Sequence, residues 1–328
     1  MKRRVAQLTA IAVLAAACGA VGPIGADTTT STAGQTTTTV ETTAGEPTTS
    51  APSPTSTAPA STTTSAPGSS STTPTTQPVA ASLVVAPWFY VDEAGHPSRS
   101  GPFLMPVART VPYTSAVGRA SLEALFAGPS PSEKAGVPAI STAIPDDVEV
   151  LGLTIREGIA TVDVSKEFGG TDNSPIVAQR MGQVVFTLTS IPHVNEVLFR
   201  QDGVPISAQT GDGQLVSRPV LKADYLELAA VITVEQPVFG GHADDPMRVT
   251  GFAAVFEAVF QYALTDGDGW IIAEGQAMSL NGTGWGGFDF SIDYDVDTEQ
   301  LGALIVWADS AEDGSRIDIR EYPVWLTP

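Results

Sequence analysis

The chain has 328 residues, 36 acidic side chains against 16 basic ones, a formal charge of −20 at neutral pH and a single cysteine. That acidity argues against nucleic acid or an anionic bilayer as a bound surface. A lone cysteine also rules out an intramolecular disulfide, so any folded part must be held by its hydrophobic core.

Lys2, Arg3 and Arg4 open the chain as a positive cluster, and Val5 to Ala17 is mostly apolar and ends in small residues. This run is shorter than the roughly 20 residues a membrane-crossing helix needs, and it fits the apolar core of a secretion signal over residues 1–17. Leu14-Ala15-Ala16-Ala17-Cys18 resembles a bacterial lipobox, in which the cysteine after the cleavage point receives a diacylglycerol. Lipoboxes usually place Leu where Ala15 stands, and Ala15 with Ala17 also satisfies the A-x-A pattern of ordinary signal cleavage. Both readings cut before Cys18. The first makes Cys18 a lipid-attachment site, and two acyl chains suffice for stable anchoring in a membrane; the second leaves a free thiol. Loss of the three leading cations would bring the charge to −23, since residues 1–17 contain no acid.

Residues 18–80 are dominated by Thr, Ser, Pro, Ala and Gly and lack apolar periodicity. Such a segment cannot offset the entropy of ordering its backbone and reads as a tether. As a flexible coil its r.m.s. span would be about 45 Å. Its composition also suits O-glycosylation.

A first folded unit is expected over 81–227. Leu83 to Val91 reads as a β segment with Pro87 at an edge or bend. Ala116 to Phe126 carries apolar residues at helical spacing and is closed by Gly128-Pro129. Val148 to Ile155 and Ile159 to Val164 form a hairpin about the turn Arg156-Glu157-Gly158. A second helix runs from Ser174 as N-cap through Thr189, with Ile176, Val177, Met181, Val184, Val185 and Leu188 as its buried stripe. Asn195 to Gln201 returns as a strand, turned by Asp202-Gly203. The order β-α-β-β-α-β places helices on a small sheet, an α+β arrangement.

Within this unit, Pro106 to Pro112, Leu122 to Pro129, Ser141 to Pro145 and Ala160 to Phe168 resemble the GerMN domain of sporulation and germination proteins; Arg218-Pro219 and Ala223-Asp224-Tyr225 fit its end. The resemblance implies a non-catalytic domain related to the ring-building modules of envelope assemblies.

Residues 228–328 alternate in short runs separated by Gly and Asp turns, an all-β pattern. Val249 to Leu264 spans two strands or one bent strand, and Trp270 to Leu280 is another. Phe288, Phe290, Ile292 and Tyr294 share one strand face, and 302–308 and 316–326 complete about seven strands. That count favours an immunoglobulin-like sandwich. Val255 to Ala258, Trp285 to Phe288 and Ser310 to Ser315 resemble the immunoglobulin-like domain of bacterial spore germination proteins.

Candidate chemistry is sparse. His96, His193 and His242 sit beside Gly or Pro, as loop residues do, and no serine lies in a G-x-S-x-G frame. No catalytic residue, cofactor or metal is expected. Asp293, Asp295 and Asp297 alternate, but they lack the glycine and distal glutamate of an EF-hand loop and read as a solvated edge. The expectation is a membrane-tethered, extracytoplasmic binding protein whose partner is an envelope protein or a second copy. Arg109 and Arg119 are its candidate contact residues. The alternative is a module that docks to cell-wall glycan through Trp285 or Trp88.

Overall fold

The computed structural model describes residues 81–92, 101–169 and 175–328. Cys18, the tether, His96 and Ser174 lie outside the described residues.

The chain enters through β1 (Ser82–Val85) and β2 (Trp88–Asp92), parted by Ala86 and Pro87, and continues through β3 (Phe103–Pro106) and β4 (Arg109–Pro112). β4 folds back on β1, while β2 sits between β3 and β5 (Ala139–Ser141). Between β4 and β5 lie α1 (Val117–Phe126) and the single turn α2 (Pro131–Lys134). Gly128 leaves α1 at φ 71°, the left-handed backbone that a terminating glycine provides. Then come β6 (Val150–Arg156) and β7 (Ile159–Val164). Glu157 and Gly158 both have positive φ, so the hairpin takes the primed turn that matches strand twist.

The helix α3 (Pro175–Thr189) carries the chain over to β8 (Glu196–Gln201), which lies parallel to β7. Ala160, Val162 and Val164 on β7 and Val197 and Phe199 on β8 are buried at every second position, the period of a strand covered on one face. The expected stripe of α3 is corrected at one end and widened at the other. Ile176 is exposed, while Gln183, Phe186 and Thr187 are buried with Val177, Met181, Val184, Val185 and Leu188. The cause is cover on two sides: α3 packs on β8 and also against β2, and a helix enclosed in this way has no polar face to give to water.

Short strands β9 (Val204–Pro205), β10 (Ala208–Gln209), β11 (Leu215–Val216) and β12 (Val220–Leu221) lead into a 3₁₀ segment, Lys222–Leu228. β12 pairs with β8, giving the order β12-β8-β7-β6 with β9 on β8.

The second part is a sandwich. β13 (Ile232–Gln236), β15 (Met247–Ala253) and β18 (Gly286–Ile292) form one sheet. The other has the order β14-β20-β19-β16-β17, made of β14 (Gly241–Ala243), β16 (Val259–Thr265), β17 (Ile271–Met278), β19 (Gln300–Asp309) and β20 (Arg316–Leu326). The fold is therefore α+β followed by a β-sandwich. Val249, Phe288 and Ile292 from one sheet face Phe260, Leu304, Val306 and Val324 from the other, and the rings of Phe260 and Phe288 are 4.8 Å apart. Val249 to Leu264 proves to be two strands joined by a short 3₁₀ turn.

One buried cluster runs from Trp88 to Leu326 without a break. The two parts also share backbone bonds: Phe239 N–H donates to the Pro106 carbonyl at 2.9 Å, and Ala108 N–H to the Phe239 carbonyl at 3.0 Å. No helix among the described residues is long and apolar enough to cross a membrane.

Candidate functional site

The seam between the two parts is aromatic. Trp88 and Phe186 have ring centroids 4.6 Å apart, Phe186 and Phe252 6.2 Å, and Phe252 and Trp285 5.5 Å, so a line of rings crosses from β2 and α3 into β15. Lys222 places its ammonium 5.5 Å from the ring centres of both Trp88 and Phe186 and 5.9 Å from that of Phe252, and it pairs with Glu235. A cation over aromatic faces and against a carboxylate is well satisfied in a half-buried place. Beside it opens a cleft of about 400 Å³ lined by Val85, Val117, Ser190, Ile191, Lys222 and Glu235 among others.

Three hydroxyls of this cleft, on Ser121, Thr187 and Ser190, are already engaged. Ser190 accepts from the Trp88 indole N–H at 2.8 Å and donates to the Phe186 carbonyl at 2.8 Å. Thr187 accepts from the Trp88 N–H at 3.0 Å, and Ser121 donates to the Val117 carbonyl at 2.9 Å. A nucleophile must be held against a base, and these groups are instead held against backbone.

Below the seam, Arg218 grips Asp224 with two bonds of 2.7 and 2.8 Å, and the same carboxylate caps Leu221 N–H at 2.9 Å. Arg218 holds the Asp224 carboxyl below the ordinary aspartate range. Burial, reinforced by Asp212 and Asp224, pushes Glu227 the other way.

The residues singled out from sequence do not converge. Arg109 pairs with Glu133 at 2.9 Å and covers the ring of Phe89 at 4.9 Å, which fastens β4 to α2. Arg119 is half-exposed on α1 and pairs with Glu123, one turn on, at 2.7 Å. Trp285 lies edge-on to Phe252 and is half-buried. Trp88 is fully buried, so it cannot stack on a sugar; α3 holds both its indole N–H and its backbone. His193 is exposed at φ 69°, and His242 stacks on Trp325 beside Glu299. Asp293, Asp295 and Asp297 are exposed between buried Tyr294 and Val296, and no acid, His or Cys cluster fit for a metal occurs among the described residues.

Residues 87–207 match the family model for sporulation and spore germination, and residues 231–315 match the immunoglobulin-like domain of bacterial spore germination. The first segment is a GerMN domain and the second a spore-germination immunoglobulin-like domain. Similar solved structures include a candidate lipoprotein from Clostridium perfringens, at 20% identity and TM-score 0.29 over 45% of this chain and 93% of that one. Tandem GerMN domains of the sporulation protein GerM from Bacillus subtilis align at 18% identity and TM-score 0.33, over 47% of this chain and 50% of theirs. The first GerMN domain of that protein aligns at 23% identity and TM-score 0.29, over 42% and 98%. No curated protein matches the chain.

Several large apolar side chains of the immunoglobulin-like domain are exposed. β17 is the last strand of its sheet, paired only with β16. Along and beside it, Trp270, Ile271, Met278 and Leu280 are 74%, 59%, 66% and 90% exposed. Sequence reasoning identified this strand but not its edge position. Alternation alone does not say which strand of a sheet ends unpaired.

Proposed function

We propose that the chain is a lipoprotein of the extracytoplasmic face, anchored by a lipid on Cys18, which works by binding an envelope protein or its own copies and catalyses nothing. The observation that carries the binding reading is the unpaired edge of β17, which has Trp270 and Ile271 exposed at one end and Met278 and Leu280 at the other. An unpaired edge strand with large exposed side chains is a template for another strand. The GerMN and immunoglobulin-like pairing supports a role in envelope assembly, and the short apolar leader before Cys18 supports export with retention at the membrane.

Two measurements test this. Metabolic labelling with a palmitate analogue should mark the wild-type protein and leave Cys18→Ala unlabelled, with the variant shifting from the membrane to the soluble fraction. A photo-crosslinking amino acid at Ile271 should capture a discrete protein adduct in intact cells. Adducts absent there, and equally absent from a panel over the rest of the sandwich, would overturn the binding reading.

A further inference from the structure

β17 shows few of the devices that keep edge strands apart. It contains no Lys or Pro, and its one charge is Glu274. Its pairing with β16 is regular from Met278 to Ala273 and shifts only at the Thr265–Ile271 end. Glu274, Gln276 and Met278 face solvent in alternation, whereas Ala277 between them is buried. The opposite edge of the same sheet, β14, is only three residues long.

We propose that β17 pairs antiparallel with β17 of a second copy, joining two five-stranded sheets across a two-fold axis at Gly275. The inference rests on the protein-binding reading above and names its partner. In an antiparallel pair related by a two-fold axis, opposed residues must point their backbone groups alike, so the axis falls on a residue and not between two. Centred on Gly275, Glu274 lies opposite neutral Gln276, Ala273 opposite Ala277, and Ile272 opposite Met278. No like charges are directly opposed, and apolar residues meet apolar residues, which is the pattern that stabilises cross-strand neighbours. Trp270 of one copy and Leu280 of the other come to the same end of the pair. A centre on Glu274 would set the two carboxylates face to face. The paired strand edges, with Ile271, Ile272 and Met278 of each copy, make a small interface, below the roughly 1,200 Å² at which standard-size interfaces begin. The pair is therefore weak in solution and stronger where copies share a membrane surface.

The sign of the salt dependence separates this partner from a basic one. Two acidic copies repel, so screening should tighten the pair between about 50 and about 500 mM salt. A partner that used Lys or Arg against Glu274 would bind more weakly as salt rises.

The test is sedimentation velocity of the full chain carrying Cys18→Ser, which leaves no thiol to acylate or oxidise. A reversible dimer is expected in roughly the ten to hundred micromolar range, tightening with salt. Gln276→Lys, which sets a cation opposite Glu274 of the other copy, should strengthen it about tenfold; Gln276→Glu and Met278→Lys should each weaken it by a similar factor. These side chains are exposed, and unchanged thermal unfolding of each variant will show that folding is intact. A monomer at every concentration, or a dimer indifferent to all three substitutions, overturns self-pairing. A monomer whose Ile271 crosslinker still captures an envelope protein would overturn self-pairing alone and leave the binding reading standing.

Discussion

The side-chain amide of Gln183 stands between Trp88 and Ala143, donating to the Trp88 carbonyl at 3.0 Å and accepting from the Ala143 N–H at 2.8 Å. The β2–β5 register pairs Tyr90 with Ser141 and Asp92 with Ala139, so its next hydrogen-bonding position would set Trp88 against Ala143. There the ladder opens and α3 fills it. Gln183 takes one carbonyl and one N–H, Thr187 accepts from the Trp88 N–H, and Arg180 donates to the Ala143 carbonyl at 2.9 Å. All four backbone groups of the missing rung are satisfied by three residues on successive turns of one helix.

Gln183→Leu keeps the volume and removes both functions, leaving a buried carbonyl and a buried N–H without partners. Each such orphan costs about 1–3 kcal/mol, so the variant should lose about 2–6 kcal/mol in urea unfolding. A loss below about 1 kcal/mol would mean that Trp88 and Ala143 close up and bond directly.

This joint marks where sequence reading stops. The strands β6, β7 and β8, the long sandwich strands, helices α1 and α3 and the turns at Glu157-Gly158 and Asp202-Gly203 were legible, because local chemistry fixes period and turn type; the short strands β3, β4, β5, β13 and β14, which carry little periodicity of their own, were not. Arg218 and Asp224 were legible as part of a pattern, and their two-bond ion pair is the physical reason for it. Gln183 and Thr187 were not. A polar residue on a helix reads as solvent-facing unless its cover is known, and here the cover comes from β2, nearly a hundred residues earlier. The seam was hidden for the same reason. Trp88, Phe186, Lys222 and Phe252 each read as ordinary core or surface in their own segment, and only the fold makes them neighbours.

The seam should make the GerMN and immunoglobulin-like domains unfold together. One buried cluster runs through both, and the two share backbone bonds across it. Chemical unfolding followed by tryptophan fluorescence and by far-UV circular dichroism should give coincident single transitions. Two resolved transitions would mean that each domain is held by its own core.

Lys222 and Glu235 are both mostly covered at the seam, at 23% and 30% side-chain exposure. A double-mutant cycle with Lys222→Met and Glu235→Gln should return a coupling of about 1 kcal/mol, above that of a freely exposed pair. Lys222→Met alone should cost more than the coupling, since it also removes the cation from the Trp88, Phe186 and Phe252 rings.

Asp224 makes stability depend on pH in one direction. Its folded carboxyl lies below the ordinary value, chiefly through the bonds from Arg218. Its contribution is therefore complete above about pH 4, where an unfolded aspartate is ionised, and declines as pH falls through the lower folded value. Asp224→Asn should be less stable than wild type at pH 7, with the gap narrowing as the pH approaches 2. Glu227 has the opposite sign, because burial raises its folded value. Glu227→Gln should gain stability at pH 7 and lose that advantage in acid. A constant gap across the range for either variant would separate its effect from ionisation.

Two buried tyrosines give an internal contrast. Tyr294 donates to the Ala243 carbonyl at 2.7 Å, with the Thr327 carbonyl 2.9 Å away, tying β14 to the chain just beyond β20 at one end of the sandwich. Tyr225, from the 3₁₀ segment, is fully buried against Gly182 of α3, and its hydroxyl has no hydrogen-bonding partner among the described residues. Removing the Tyr294 hydroxyl forfeits one net hydrogen bond, since the Ala243 carbonyl keeps the Thr327 N–H and hydroxyl as donors, whereas removing an unpaired hydroxyl relieves its own desolvation cost. Tyr294→Phe should therefore lose about 1 kcal/mol, and Tyr225→Phe should be neutral or gain up to about 1 kcal/mol. The two variants differ by one oxygen each from the same parent, so the sign of their difference in unfolding free energy is the readout. Equal losses would place an unseen acceptor on Tyr225, and the packing of the 3₁₀ segment on α3 would then owe part of its hold to a polar contact.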